Sequence, residues 1–239
     1  MSINCKIINL RYLNKKTLSI SLSAEGGFYF LAGQYVQLEL GDRGKLPFSI
    51  ASLPKANGSF ELHFGGVSEA SSLASSVMYL QQCFKNGETV VVEEAKGDAW
   101  LRSTDRPIVL VAGGSGYTYT RSILQEALKR NPECEITLYW GGYSEDDLYE
   151  HGYLVELEAS YSGFTYIPVT EVSSKSIMAR NGRLLDIVYD DFDFNTQPDI
   201  YICGRYEMVQ DAYLHLSNEF DSRVNIYSDA LRAEQMRNR

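Results

Sequence analysis

The sequence predicts an all-β part followed by an α/β part: an N-terminal antiparallel β-barrel of six strands, then a parallel α/β domain. Three observations carry this reading. As far as Ser103, stretches such as TLSISLS, YVQLEL and SFELHF alternate apolar and polar residues, the period-2 signature of half-buried strands. From Arg106 onward, apolar strand-like runs alternate with helical stretches, as βαβ units require. Between them lies RSTDRP, where Pro107 and its flanking charges mark a linker. The domains are therefore expected at residues 1–103 and 104–239.

In the first domain, strands are expected over residues 3–12, 17–23, 34–40, 48–52, 59–64 and 89–94. Gly26-Gly27, Gly41, Asn57-Gly58 and Asn86-Gly87 supply the turns. Six short strands with turn signals between them point to a barrel. One helix is expected over residues 71–84, where Leu73, Val77, Leu80 and Phe84 recur on a single face. In the second domain, PIVLVA, EITLYW, FTYIPVTEV, DIYICG and RVNIYS read as strands. Helices are expected over residues 119–130, 147–159, 184–189 and 207–220. Such a parallel sheet is covered on both faces.

Composition excludes several function classes. A chain of 239 residues is comfortable for two domains, and 44% apolar residues support a sizeable core. A net charge of −9 argues against nucleic-acid binding, which needs clustered Lys and Arg. Cys5, Cys83, Cys134 and Cys203 form no C-x-x-C pair, so neither a metal nor an iron–sulfur cluster is expected. Dispersed cysteines suit a reducing cytoplasm. The N-terminus lacks the apolar core of a signal peptide. Apolar runs fall far short of the ~20 residues a membrane helix needs.

Three strand ends in the second domain carry glycine: Gly113-Gly114-Ser115-Gly116, Gly141-Gly142, and Gly204. Ligands of open parallel sheets bind outside the carboxyl ends of the strands. The first loop opens a helix, whose free N–H groups favour a phosphate. Counted from Gly113, Thr118 stands where G-x-G-x-x-G would have its third glycine, and a strand-to-helix turn also uses glycine without binding anything. Three such ends in one sheet favour the nucleotide reading. Glu145, Asp146, Asp147 and Glu150 follow the second end. Carboxylates there would accept ribose hydroxyls and repel a 2′-phosphate, favouring NADH over NADPH; they equally suit a helix N-terminus. In the barrel, Pro47, Phe48 and Ser49 offer a planar ligand an apolar face and a rim hydroxyl. The alternative is a core aromatic beside a turn-forming serine. Of 17 tyrosines, Tyr117, Tyr119, Tyr139, Tyr143, Tyr149 and Tyr153 gather around the glycine loops, as stacking partners or as ordinary half-buried residues.

Taken in order, AGQYV (32–36), PFSIAS (47–52), GDAWLR (97–102), VAGGSGYTYTRSIL (111–124), YWGG (139–142), CGRYEM (203–208) and YSDAL (227–231) span nearly the whole chain. Together they resemble the ferredoxin–NADP reductase superfamily, and within it the NAD(P)H:flavin reductases of enteric bacteria and the LuxG-type reductases of luminous bacteria. The resemblance implies a barrel that holds flavin and a Rossmann-like domain that holds NADH or NADPH, with the isoalloxazine between them. It places Ser49 near flavin N5, Pro47 and Phe48 along the ring, and Tyr35 at the pocket. Gly113, Gly114, Ser115 and Gly116 match its nucleotide loop, with Gly141 and Gly142 at the next strand end. Cys203, Gly204 and Met208 match its nicotinamide motif, and Asp229 its acidic residue beside the flavin. Ser49 and Asp229 are the expected catalytic residues.

The implied activity is hydride transfer from nicotinamide C4 to flavin N5, reducing free FMN or riboflavin. Reduced flavin would leave, for luciferase or another flavin-using enzyme. One departure matters: Leu46 stands where the family has arginine. A charge-assisted hydrogen bond of roughly 1.5–3 kcal/mol to a flavin phosphate is lost with it, unless Lys45 or Arg43 compensates. This points to flavin as a loosely bound substrate and leaves the choice between FMN and riboflavin open. Two other readings compete: an electron-transfer component that retains its flavin and reduces a protein partner, and a non-catalytic nucleotide-binding module.

Overall fold

A computed structural model describes residues 1–41, 44–67, 71, 73–220 and 223–231. The chain divides into two compact units, Met1–Trp100 and Leu101–Arg239.

The first unit is a six-stranded antiparallel sheet. Its strands are β1 (Ser2–Asn14), β2 (Thr17–Ala24), β3 (Tyr35–Glu39), β4 (Lys45–Ser49), β5 (Ser59–Phe64) and β6 (Thr89–Glu93). They run in the order β4-β3-β6-β1-β2-β5. Just past β4, Ile50 bridges Leu62 of β5, so the two ends of the sheet meet and the barrel closes. Alternation sends Leu18, Ile20, Leu22, Val36, Leu38, Ile50, Leu62, Val90 and Val92 inward, all with no solvent exposure.

Two expectations are corrected here. The strand expected over 48–52 begins at Lys45 and ends at Ser49. Pro47 does not delay it, because β4 lies at the end of the hydrogen-bonded order, where a missing N–H is tolerated. The helix expected over 71–84 is α1 (Ala74–Asn86). Its buried face is Ser76, Val77, Leu80 and Cys83, whereas Phe84 is 42% exposed. Helical spacing alone did not distinguish Cys83 from its neighbour. Gly87, at φ 69°, ends the helix, and Glu88 N–H reaches back to Cys83 O. Arg43, one of the two suggested substitutes for the family arginine, lies outside the described residues.

The second unit is a parallel sheet of β7 (Ile108–Gly113), β8 (Ile136–Gly142), β9 (Phe164–Thr170), β10 (Arg180–Asn181), β11 (Asp199–Cys203) and β12 (Asn225–Tyr227). Its order is β10-β9-β8-β7-β11-β12. The chain winds from β7 toward β10, then returns to β11 on the other side of β7. The order therefore reverses between β7 and β11, the switch point where such sheets bind ligands. β7 is buried on both faces from Ile108 to Ala112. Helices α4 (Leu184–Asp191) and α5 (Tyr206–Phe220) pack over Val109, Val111, Ile200 and Ile202. Helix α2 (Tyr117–Arg130) lies against β7, β8 and β11, and α3 (His151–Ser160) against β9. The helix expected over 147–159 is in fact a tight turn at Glu145–Asp147 followed by α3. The two-residue β10 was not anticipated. Among the described residues no helix is long and apolar enough to cross a membrane.

Candidate functional site

In the second unit, all three glycine-bearing strand ends fall on adjacent strands, β8, β7 and β11. Gly113 and Gly141 are direct partners in the β7–β8 register. Most of these glycines make room for protein. A Cβ on Gly116 would lie 2.2 Å from the Cys203 carbonyl oxygen, and one on Gly113 2.9 Å from Met208 Sδ. A Cβ on Gly204 would lie 2.5 Å from Met208 Cε. Gly141 and Gly142 likewise admit Leu184 and Asp147. Gly114 differs: its φ is +55°, and a Cβ there would meet nothing within 4 Å. Bare backbone thus remains open at Gly114 and the exposed Ser115, at the start of α2. That is where a helix offers unbonded N–H groups to a phosphate.

A buried network carries this loop. Trp140 Nε1 donates to Gly114 O at 3.0 Å. The Trp140 indole stacks on Tyr117, with centroids 3.8 Å apart, and Tyr149 meets both rings edge-on. The Tyr117 hydroxyl donates to Glu150 Oε2 at 2.8 Å, where Arg121 Nε also donates at 2.6 Å. The sequence alone groups Glu150 with the ribose acids and points to Trp140 only through the W of YWGG. Glu145 is engaged as well: its carboxylate accepts from the Ser174 and Ser176 hydroxyls and from Ser176 N–H. Those bonds, Ser174's first, pull its carboxyl down to about 2. Asp147 accepts from Ser144 N–H at 3.0 Å, and Asp146 is the exposed member of the group. Among the tyrosines, Tyr117, Tyr119 and Tyr139 are buried and Tyr143 is exposed.

Cys203, Gly204 and Met208 close around Gly113 and Gly116. Burial, and then the Asp229 carboxylate, push the Cys203 thiol up to about 12. Burial likewise holds Tyr119 well above the usual phenol range, with Cys203 and Asp229 adding to it. Asp229 thus shares the surroundings of Cys203 and Tyr119.

In the first unit, the β3–β4 register sets Tyr35 opposite Ser49, Gln37 opposite Pro47, and Val36 opposite Phe48. Tyr35, Pro47 and Ser49 therefore share one face. Phe48 lies on the other, its ring centroid 4.2 Å from that of Phe64. Leu46, opposite Leu38, packs with Phe48 against the core. Lys45 donates to Glu93 Oε1 at 2.8 Å, and Lys96 to Glu93 Oε2 at 2.5 Å. These bonds, that from Lys45 first, hold the Glu93 carboxyl near 2. The Ser49 hydroxyl has no hydrogen-bond partner among the described residues, and the residue is half-buried. Among the described residues, no group of three His, Cys, Asp or Glu could hold a metal.

Comparison with known proteins identifies the lineage. A family model described as an oxidoreductase NAD-binding domain matches residues 110–213, from β7 into α5. The chain is 34% identical to an NAD(P)H-flavin reductase of Aliivibrio fischeri, over 96% of this chain and 98% of that protein. The chain belongs to the NAD(P)H-flavin reductase family. A probable flavin reductase of Vibrio harveyi, also of this family, is 41% identical over 86% of this chain and 88% of its own. The flavin-reductase chain shares its fold with a Neisseria gonorrhoeae ferredoxin NADP+ reductase solved with bound FAD and NADP. That likeness has a TM-score of 0.75 at 19% identity, over 94% of this chain and 97% of that one. An Amycolatopsis cytochrome P450 reductase superposes with a TM-score of 0.79 at 24% identity, over 95% of this chain and 69% of its own.

Proposed function

We propose that the protein catalyses NAD(P)H-dependent reduction of free FMN or riboflavin. The observation that carries this reading is its end-to-end similarity to NAD(P)H-flavin reductases, which leaves neither unit unmatched. We assign the flavin to residues 1–103 and the nicotinamide nucleotide to residues 104–239.

The chain's own residues support that division of labour. The open backbone at Gly114 and Ser115, held from behind by Trp140, suits a pyrophosphate at the head of α2. Gly113, Gly116 and Gly204 let the β7 end and the head of α2 close onto the β11 end, and Gly141 and Gly142 make room for Leu184 and Asp147, so this binding edge is compact. Cys203 keeps its proton at neutral pH and sets no anion against the nicotinamide. Asp229, beside it, helps orient the ring. On the barrel, Tyr35, Pro47 and Ser49 offer the flavin an aromatic, a rigid apolar surface and an unpaired hydroxyl. When both substrates are bound, hydride moves from nicotinamide C4 to flavin N5. The Ser49 hydroxyl orients N5 and supports the charge that develops on the ring, while alignment supplies much of the rate. Phe48 acts from the core side, backing the strand that carries Ser49.

Leu46 carries no charge for a flavin phosphate, and Lys45 is committed to Glu93, so the flavin is a loosely held substrate. Glu145 has turned its carboxylate onto Ser174 and Ser176. The anionic surroundings of the β8 loop favour NADH over NADPH. Reduced flavin is released to luciferase or another flavin-using enzyme in the cytoplasm.

NADH oxidation by the flavin-stripped protein, with and without added FMN or riboflavin, tests the reading. The expected protein is colourless and its saturable turnover depends on added flavin. A yellow protein that turns over only with a protein or dye acceptor would establish a flavin-retaining electron-transfer component instead. No oxidation with either flavin would leave only a nucleotide-binding module.

A further inference from the structure

His63, a buried titratable residue, has no part in the mechanism above, yet the register connects it to Ser49. The barrel closes at the antiparallel bridge between Ile50 and Leu62. The residue before Ile50 therefore faces the residue after Leu62, which sets Ser49 opposite His63. Neighbouring contacts agree: Ala51 N–H donates to Glu61 O at 2.8 Å, and the Phe48 and Phe64 rings lie 4.2 Å apart. On the far side of each strand, Tyr35 opposes Ser49 and Ser19 opposes His63. One row of directly opposed residues thus crosses four strands: Tyr35, Ser49, His63, Ser19. Strand alternation places it on the face away from Val36, Ile50, Leu62 and Ile20, which fill the core.

The inner end of the row is fixed. Glu61 Oε1 accepts from Ser19 Oγ at 2.5 Å and meets His63 Nε2 at 3.1 Å. A carboxylate oxygen only accepts, so Nε2 carries the hydrogen of this bond. Ser19 is 1% exposed, and the His63 side chain has no exposure. Exposure therefore rises along the row, from buried Ser19 and His63 to half-buried Ser49 and Tyr35. Directly opposed side chains on one sheet face stand ~4.5–5.5 Å apart at Cβ. The His63 ring, held by Glu61, is thus the side chain directly opposite Ser49 where β4 meets β5.

We propose that His63 is a positioning residue for Ser49: Glu61, itself held by Ser19, clamps its ring, and the ring fixes the flavin-facing orientation of the serine. The proposal rests on the role given to Ser49 above. The test is a double-mutant cycle on the full chain, with Ser49→Ala, His63→Ala and the pair. Riboflavin affinity is read by fluorescence quenching without NADH, and kcat and NADH KM by turnover. His63→Ala should weaken riboflavin binding and lower kcat, each by about tenfold, with NADH KM held within about twofold. In the Ser49→Ala background the same change should add nothing. Additive losses, or a His63→Ala protein with normal riboflavin affinity and kcat, would overturn the proposal. If Ser49→Ala alone changes neither quantity, the role of Ser49 falls first and this inference with it. Should His63→Ala not fold, His63→Gln keeps an N–H toward Glu61 and carries the same cycle.

Discussion

Leu46 packs against the barrel core opposite Leu38, at the position where the family resemblance leads to the expectation of an arginine. An arginine here can keep its aliphatic stem on the apolar surface and extend its charge outward. Leu46→Arg should therefore raise kcat/KM for FMN relative to riboflavin by about tenfold or more, the worth of one charge-assisted hydrogen bond to phosphate. Steady-state comparison of the two flavins measures this, and an unchanged ratio would place the phosphate away from position 46. Cys203 offers a second residue-scale check. With its thiol pushed up to about 12 by burial and by Asp229, almost no thiolate exists at neutral pH, and the thiolate is the nucleophile. Alkylation by iodoacetamide should be far slower than for a free cysteine at the same pH. Asp229→Asn removes the lesser cause, so burial should keep the thiol slow in that variant too.

At the scale of elements, the junction of β7 with α2 separates two uses of glycine. Gly116→Ala drives a methyl to within 2.2 Å of the Cys203 carbonyl, backbone against backbone, and should destabilise the fold by roughly 3 kcal/mol. Gly114→Ala meets open space but must hold φ near +55°, a cost of about 1–2 kcal/mol. Urea unfolding should rank the two in that order, with Gly114→Ala showing its larger effect on NADH KM. Equal losses of stability would contradict the difference in packing. The Lys45–Glu93–Lys96 contacts tie β4 to β6 and give a pH signature. Glu93 is held below its ordinary value, so its contribution is complete above about 4.5 and is lost as pH falls through about 2. Urea midpoints at pH 7 and pH 3 should therefore differ less in Glu93→Gln than in the parent protein. The elements themselves were largely legible, because alternation and βαβ rhythm are local patterns. What escaped was set by tertiary contact. The pairing of β4 carries a strand through Pro47, the core selects Cys83 over Phe84, and a two-residue β10 exists only beside β9.

Across the whole molecule, the glycine-bearing strand ends were readable because switch-point topology follows from the order of strands and helices. The support beneath them was not, since Tyr117, Trp140, Arg121 and Glu150 meet only when β8, α2 and the turn before α3 are folded together. The Tyr35-to-Ser19 row was equally hidden, because barrel closure decides which residue faces Ser49. Each unit owns its core: Leu18, Ile20, Leu62 and Phe64 belong to one, and Val109, Val111, Ile200 and Val209 to the other. Leu62 has no solvent exposure, and Leu62→Ala should remove about 2–5 kcal/mol from the first unit. Because that core belongs to the first unit and the Gly114 loop to the second, the loss should show selectively. Riboflavin quenching should weaken and the first unit should melt earlier, while calorimetric affinity for 5′-AMP stays within about twofold of the parent. If 5′-AMP affinity instead falls in step with riboflavin affinity, the two units unfold as one cooperative body and a single free energy describes the chain.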